Sequence, residues 1–447
     1  MRGRCPVIAV VGAGFSGTAT AIHLLRDAAP GTRVLLIERG DRTARGIAYG
    51  TGDARHRLNV AAARMSVLPG EPDDLVAWAG CAPETFLPRA RYGDYLCARL
   101  TGAAAGSAAR LERLQGEVVA VRDRGGALEL RLRSGGTLAC DRAVLALGWL
   151  PVAAPWPGDE RVVTDPWAPG ALGRAAQPGT TLVVGTGPTA IDVALTVTAE
   201  PGARVVAVSR HGRLPFAHLS GLRTPAPPPD FGTGVLRLRT AERIVRAHLA
   251  QIELDGYDWR DGIDGMRPLL PGLWARVPEP DRRRFLAGRL RAWEIRRHRL
   301  APEVAGEVAA LRADGRLEVH AATVEGLRAD GRRVELQLGD GRVLRGDRVV
   351  LCAGAGGAVA GTTDRLVADL LECGRAVPDP LGLGLRTAAG GALLDRRGLA
   401  SPRLWTLGPL RRGELWESTA VPELRVQAAG VAGEVLAAGA VTQPLAA

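Results

Sequence analysis

Two short glycine runs carry the clearest chemistry in the sequence. The first is Gly12-Ala13-Gly14-Phe15-Ser16-Gly17, set between the apolar run Val7–Val11 and a helix-like stretch reaching about Asp27. Gly12 permits a tight turn, Gly14 lets the backbone approach a pyrophosphate, and Gly17 allows close packing of helix on strand. The start of the helix offers unbonded N–H groups and the positive end of a dipole to phosphate. A second apolar run, Arg33–Ile37, ends on Glu38 and Arg39. A carboxylate at that place accepts hydrogen bonds from both hydroxyls of a ribose. Strand, glycines, helix, strand and terminal acid in this order suit the adenosine half of FAD.

The pattern recurs. Thr181–Val184 leads into Gly185-Thr186-Gly187-Pro188-Thr189-Ala190, which opens a helix to about Thr198. The next strand, Arg204–Val208, ends on Ser209 and Arg210 where the first unit has its acid. A carboxylate there repels a 2′-phosphate, whereas a hydroxyl and a guanidinium bind one. The second site is therefore expected to select NADPH over NADH. The alternative is that Arg210 is a solvated surface charge.

These sites need a frame. Asp141–Gly148 and Asp347–Gly354 are matching apolar strands that end in glycine. Each follows a hairpin-like pair, Glu129–Arg133 with Thr137–Ala139 and Val334–Leu338 with Arg342–Leu344. Such strands resemble the crossovers between nucleotide domains in two-dinucleotide flavoproteins. After the proline-rich stretch Pro225–Pro229, helices are expected over about Thr240–Ile252, Pro280–Arg297 and Pro302–Ala310. The aromatic residues there, Trp259, Trp274 and Trp293 among them, either cover a substrate pocket or pin the insertion to the sheet. The expected class is α/β with two dinucleotide-binding, Rossmann-like domains. The NADP domain (156–354) is nested within the FAD domain (1–155 and 355–447) and carries a helical insertion over about 225–310.

Composition narrows the function. The chain has 447 residues, 46% hydrophobic and 23% charged, as in ordinary globular proteins. Its net charge is +11, and all 58 basic residues are arginine. Without lysine there is no Schiff-base or phosphate-loop lysine. The arginines are dispersed, so nucleic acid is not an expected partner. The six cysteines include no C-x-x-C pair and no zinc spacing, which suits reduced thiols in a cytoplasm and speaks against a disulfide reductase. No run is long enough to cross a membrane.

Further motifs carry a resemblance. The chain reads Gly46-Ile47-Ala48-Tyr49-Gly50, then Leu58-Asn59-Val60-Ala61-Ala62-Ala63-Arg64-Met65-Ser66. Later come Trp293–Pro302, Leu407-Gly408-Pro409 and Trp416–Arg425. Together these resemble the bacterial FAD/NAD(P)-binding proteins with a G-x-A-Y and L-N-V-x-A-x-x-M-S signature, relatives of flavin-dependent N-hydroxylating and class B monooxygenases. The resemblance implies flavin-site roles for Tyr49, Met65, Gly148, Gly408, Ala420 and Val421. It puts Asn59 at the reactive edge of the flavin, as the catalytic candidate; a turn-capping role is the alternative. Pro422 would start a final helix whose N-terminus faces the flavin. The interval Pro157–Trp167 lacks the His-Ser pair of class B enzymes, so Baeyer–Villiger chemistry is not implied; Asp165 and Trp167 are candidates for linking the domains instead.

The resulting expectation is an FAD-dependent, NADPH-using monooxygenase acting with O2 on a small nucleophile, with N-hydroxylation of an amine or amino acid implied by the resemblance. The alternatives are an NAD(P)H-dependent flavin reductase without oxygen insertion and a non-catalytic FAD-binding redox sensor. An acidic substrate could use Arg64, Arg267 or Arg297. His298, inside an arginine cluster, is expected to have its pKa depressed by like charge. It would serve as a neutral base or make a structural hydrogen bond.

Overall fold

The computed structural model describes residues 5–151, 156, 159–331, 333–352 and 359–440. Two sheets organise them. The first has six strands in the order Ala392–Leu394, Ala400–Thr406, Arg142–Leu145, Val7–Val11, Arg33–Glu38 and Arg110–Gln115. All neighbours are parallel except the first pair. Val7–Val11 lies at its centre, every residue buried, because a parallel strand covered on both faces must be apolar throughout. The helix Phe15–Asp27 crosses one face of this sheet and packs along the last helix, Val421–Ala440.

The second sheet runs Leu317–Ala321, Ala203–Ser209, Gly179–Val184, Arg348–Leu351 and Val162–Val163, all parallel. Its strands lie in sequence between Arg142–Leu145 and Ala392–Leu394 of the first sheet. The architecture is thus α/β with two Rossmann-like parallel sheets. Each return strand is preceded by a three-stranded antiparallel meander, Val118–Cys140 and Val324–Gly346. The expected two-stranded hairpins were one strand short. The expected glycine end at Gly354 lies outside the described residues.

Between Ala203–Ser209 and Leu317–Ala321 comes the helical insertion. Leu238–Leu254 and Pro302–Ala313 follow expectation, but Pro280–Arg297 is two helices, Glu279–Gly288 and Leu290–Arg297. The first ends at Gly288, and Arg289, at φ −118°, stands between the two. Sequence reading missed Trp259–Met266, although Asp258 and Asp261 form a reciprocal capping box at its start. Trp274 and Trp293 pin the insertion to the C-terminal segment rather than to the sheet, while Trp259 meets Phe216 edge-on. Trp274 stacks on Trp416 at 4.5 Å and donates to the Gly413 carbonyl, and Trp293 Nε1 donates to Glu417.

One loop of the first unit grips the second. Asp53 accepts from Thr196 at 2.7 Å, and Arg55 donates to the Leu195 carbonyl. Buried His56 places Nε2 3.0 Å from the Asp192 carbonyl and 2.8 Å from Thr196 Oγ1, and Nδ1 2.7 Å from Thr51 Oγ1. A carbonyl only accepts, so Nε2 carries the proton. Trp167 meets the His56 ring edge-on, which ties it to this loop, whereas Asp165 accepts from the backbone N–H groups of Trp167 and Ala168. The gripped helix, Pro188–Thr198, is the one that follows the second glycine turn.

Candidate active site

At the first turn the three glycines have different reasons. Gly12 has φ +98° and is backed onto the Ala146 carbonyl; a Cβ on Gly17 would strike the Gly12 carbonyl. Those two glycines are demanded by the fold itself. Gly14 is not: its φ is −73°, and a Cβ there would meet nothing nearer than Gly46 Cα at 3.6 Å. Space for a Cβ at the start of a helix with no side-chain cap is what a phosphate cradle requires. Glu38 closes the cradle, its Oε2 accepting from Ala13 N at 2.7 Å. Arg39 is exposed beside it. These residues fit the pyrophosphate and ribose of a dinucleotide.

The structure brings several other expected residues to this turn. Gly408, at φ +76°, lies against it, since a Cβ there would come 3.2 Å from Ser16 Oγ. Ser418 donates to the Gly408 carbonyl. Ala420 accepts the first backbone bonds of the last helix, and Val421 is buried in the same core as Ala13 and Phe15. Gly148, at φ +68°, follows the strand that backs Gly12. Phe15, Tyr49 and Met65 are different: their side chains are core, with Tyr49 edge-on to Tyr92 at 4.7 Å and Phe15 stacked on Tyr92. Their position shapes the turn through packing.

The second turn repeats the logic. Gly185 has φ +123°. Gly187 has φ −82°, and a Cβ there would find only Arg291 Nη1, at 4.0 Å. Pro188 occupies the first turn of the helix, with Thr189 following. Ser209 Oγ lies 2.8 Å from Thr186 Oγ1. Arg210 is exposed and makes no hydrogen bond or ion pair among the described residues. Arg291, which sequence reading missed, reaches back from the insertion to the Thr186 and Arg213 carbonyls at 3.0 and 2.6 Å. No local signal marks it, because it is 105 residues from its partner. Arg210→Ala is expected to raise the KM for NADPH about tenfold or more and leave that for NADH nearly unchanged, the worth of one charge-assisted phosphate contact. Steady-state kinetics with both nucleotides checks this; equal effects would remove Arg210 from phosphate recognition.

Asn59 lies in an irregular stretch before the short turn Ala62–Arg64, and neighbouring Val60 packs on the core of the first turn. Its carbonyl accepts from His218 Nε2 at 3.0 Å. Its side-chain amide makes no hydrogen bond among the described residues, so the turn-capping alternative finds no support. Arg64, on the same loop, belongs to an ion-pair network in which four segments meet. Arg64 and Arg299 lie 3.3 and 2.5 Å from Asp264. Arg267 is 2.8 Å from Glu423, and Arg297 is 3.0 Å from Glu417.

Burial sets the electrostatics here. His298 is pulled down to about 4, and desolvation is the largest cause; Arg297, Arg267 and Arg412 add to it while Glu417 opposes them. The like-charge explanation from sequence was therefore secondary. His218 falls to about 4 for the same first reason, with Arg299 next. Burial also works to raise Glu417, yet Arg297 and His298 hold it below its ordinary value. Glu417 adopts φ +70°, a strained backbone for a non-glycine residue that places its carboxylate between Trp293 and Arg297. Among the described residues no group of three or more potential ligands could hold a metal ion, and no helix is long and apolar enough to cross a membrane.

The two parallel sheets and paired glycine cradles define a two-dinucleotide flavoprotein fold. Residues 9–150 match the family model described as FAD-NAD(P)-binding, and this stretch is an FAD/NAD(P)-binding domain. No curated protein matches the chain. Among solved structures the chain is similar to ornithine hydroxylase of Pseudomonas aeruginosa, at 18% identity and TM-score 0.63, over 97% of this chain and 100% of that one. It is also similar to the FAD-bound cadaverine monooxygenase of Erwinia amylovora, at 13% and 0.66, over 97% and 95%. Thioredoxin reductase of Lactococcus lactis gives 13% and 0.52, over 98% and 100%. Oxygenases and a reductase share this fold, so the fold alone does not choose between them.

Proposed function

We propose that the chain is a flavin oxidoreductase of the monooxygenase type, using NADPH, FAD and O2 to oxygenate a small amine. The observation that carries this reading is the placement of Asn59. Its free amide stands in a loop whose Val60 packs on the core of the first cradle and whose carbonyl is held by the neutral, half-buried His218.

When bound, the flavin supplies hydride acceptance and oxygen activation. The chain's own residues do the rest. Gly14 and the helix after it hold the pyrophosphate, and Glu38 holds the ribose. Gly187, Arg291 and Arg210 seat NADPH. The Asn59 amide offers two donors and an acceptor to the reacting edge. The enclosing insertion excludes water, which suppresses wasteful release of reduced oxygen. The cysteines favour an acceptor outside the protein. All six are free thiols, Cys140 and Cys352 are buried, and burial pushes Cys140 up to about 12. No dithiol is available to carry electrons onward. The similarity to ornithine and cadaverine hydroxylases supports an amine as the acceptor.

Asn59→Ala is expected to keep FAD and anaerobic reduction by NADPH, while the share of NADPH oxidised to hydrogen peroxide rises about fivefold or more. That corresponds to the loss of one hydrogen bond of about 1–3 kcal/mol. Parallel measurement of NADPH consumed, peroxide released and hydroxylamine formed checks it. Unchanged coupling would return Asn59 to a structural role.

A further inference from the structure

A row of side chains joins the second glycine turn to the first. At one end Arg291 donates to the Thr186 carbonyl, and its Nη1 stands 4.0 Å from where a Gly187 Cβ would be. Three residues further along the same helix, Glu294 holds its carboxylate 3.8 Å from Arg291 and 4.0 Å from Arg412. Arg412 follows the short turn Gly408–Arg411, whose first residue lies against Ser16, and its guanidinium covers the ring of Trp149 at 5.3 Å. Trp149 directly follows Gly148, and Ala146 just before them backs Gly12. The direct route from a nucleotide seated at the second turn to a flavin seated at the first follows this row.

The row is open to a ligand. Trp149 is the one exposed tryptophan of nine, at 38%, although an indole gains much from burial. Arg412 covers one face of it. A Cβ on Gly148 would meet no described atom within 4 Å, so the backbone beside that indole also fronts open space. The Glu294 side chain is 33% exposed, and among the described residues its carboxylate accepts no hydrogen bond, because both arginines stand beyond bonding distance. An aromatic face and a free carboxylate joined through Arg412 suit a flat ring that carries a ribose. The ring lies on the indole, and the sugar hydroxyls donate to the carboxylate.

We infer that Trp149 and Glu294 hold the nicotinamide half of NADPH, the indole against its ring and the carboxylate on its ribose hydroxyls. The inference rests on the reading that the second turn seats NADPH, and it divides the nucleotide between two groups of residues. Gly187, Arg291 and Arg210 serve the phosphates and the adenine half, which carries no hydride. Trp149 and Glu294 decide where the ring that carries the hydride stands. The two halves then contribute separately to affinity, and a change at Trp149 or Glu294 selectively weakens the nicotinamide half.

The test is calorimetric binding of NADP+ and of adenosine 2′,5′-bisphosphate to the FAD-loaded protein, read as the ratio of the two dissociation constants. The bisphosphate carries the adenine half alone, so the ratio isolates the nicotinamide half and does not depend on turnover. Trp149→Leu is expected to shift the ratio against NADP+ about tenfold, as for one lost ring-on-ring contact, and Trp149→Phe to keep most of it. Glu294→Gln, which removes the charge and keeps the shape, should shift the ratio about fivefold in the same direction. The gain in positive charge around Arg291 and Arg412 draws the phosphates of both ligands alike, so it cancels in the ratio. A purely structural row would weaken both ligands by the same factor or neither. A ratio unmoved in Trp149→Leu or in Glu294→Gln therefore overturns the proposal. Failure of the NADPH reading looks different: the unaltered protein then binds neither ligand.

Discussion

Gly14→Val is expected to give folded, colourless protein. The backbone at Gly14, φ −73° and ψ −164°, is open to any residue, and a Cβ there has 3.6 Å of clearance from the chain. The fold should therefore lose no more than about 1 kcal/mol. The branched side chain instead fills the space in which the pyrophosphate meets the helix start. Bound FAD should fall from near one per chain to under a tenth, read from the visible spectrum after gel filtration, with circular dichroism unchanged. Gly17→Val makes the contrast: its Cβ would strike the Gly12 carbonyl, so that variant should fail to fold at all. If Gly14→Val retains stoichiometric FAD, the first cradle does not hold the flavin nucleotide.

The second large effect belongs to Gly187→Val. Its φ of −82° also accepts any residue, and the only atom near a Cβ is Arg291 Nη1 at 4.0 Å. The protein should stay yellow. The new side chain stands between a nicotinamide nucleotide and the helix start, and it displaces Arg291 from the same space. Losing two charge-assisted contacts of about 1.5 kcal/mol each should slow anaerobic flavin reduction by NADPH at least about a hundredfold. Dithionite, which needs no binding site, should still reduce the flavin at the normal rate. Reduction by NADPH at the unaltered rate would show that the second turn does not seat the donor nucleotide.

The two variants read different cradles, and the mesh of Asp53, Arg55 and His56 with the Pro188–Thr198 helix gives the cradles a fixed relation in this structure. Burial works to raise the Asp53 carboxyl, but bonds from Arg55 and Thr196 bring it below its ordinary range. The clamp thus stays charged on one partner and neutral on the other, since burial also lowers the His56 pKa.

The sequence by itself determined both glycine turns, the strands that feed them and the acid or arginine that follows. These are local: a tight turn, a helix start and a strand end lie within a few dozen residues, and backbone geometry dictates glycine wherever a Cβ would collide. It also gave Gly14 a different reason from Gly12 and Gly17, and the neighbouring carbonyl oxygens bear that division out and place Gly187 with Gly14. It also read Pro280–Arg297 as one helix, passing over the stop that Gly288 signals through its poor helix propensity. The charged cluster was decided by tertiary structure alone. Arg64, Asp264, Arg299 and Glu423 come from separate segments, and each looks like an ordinary surface charge until burial removes the water that would have screened it. Burial, not the neighbouring arginines, is likewise what most lowers His298, and burial is a property that a run of residue names does not contain.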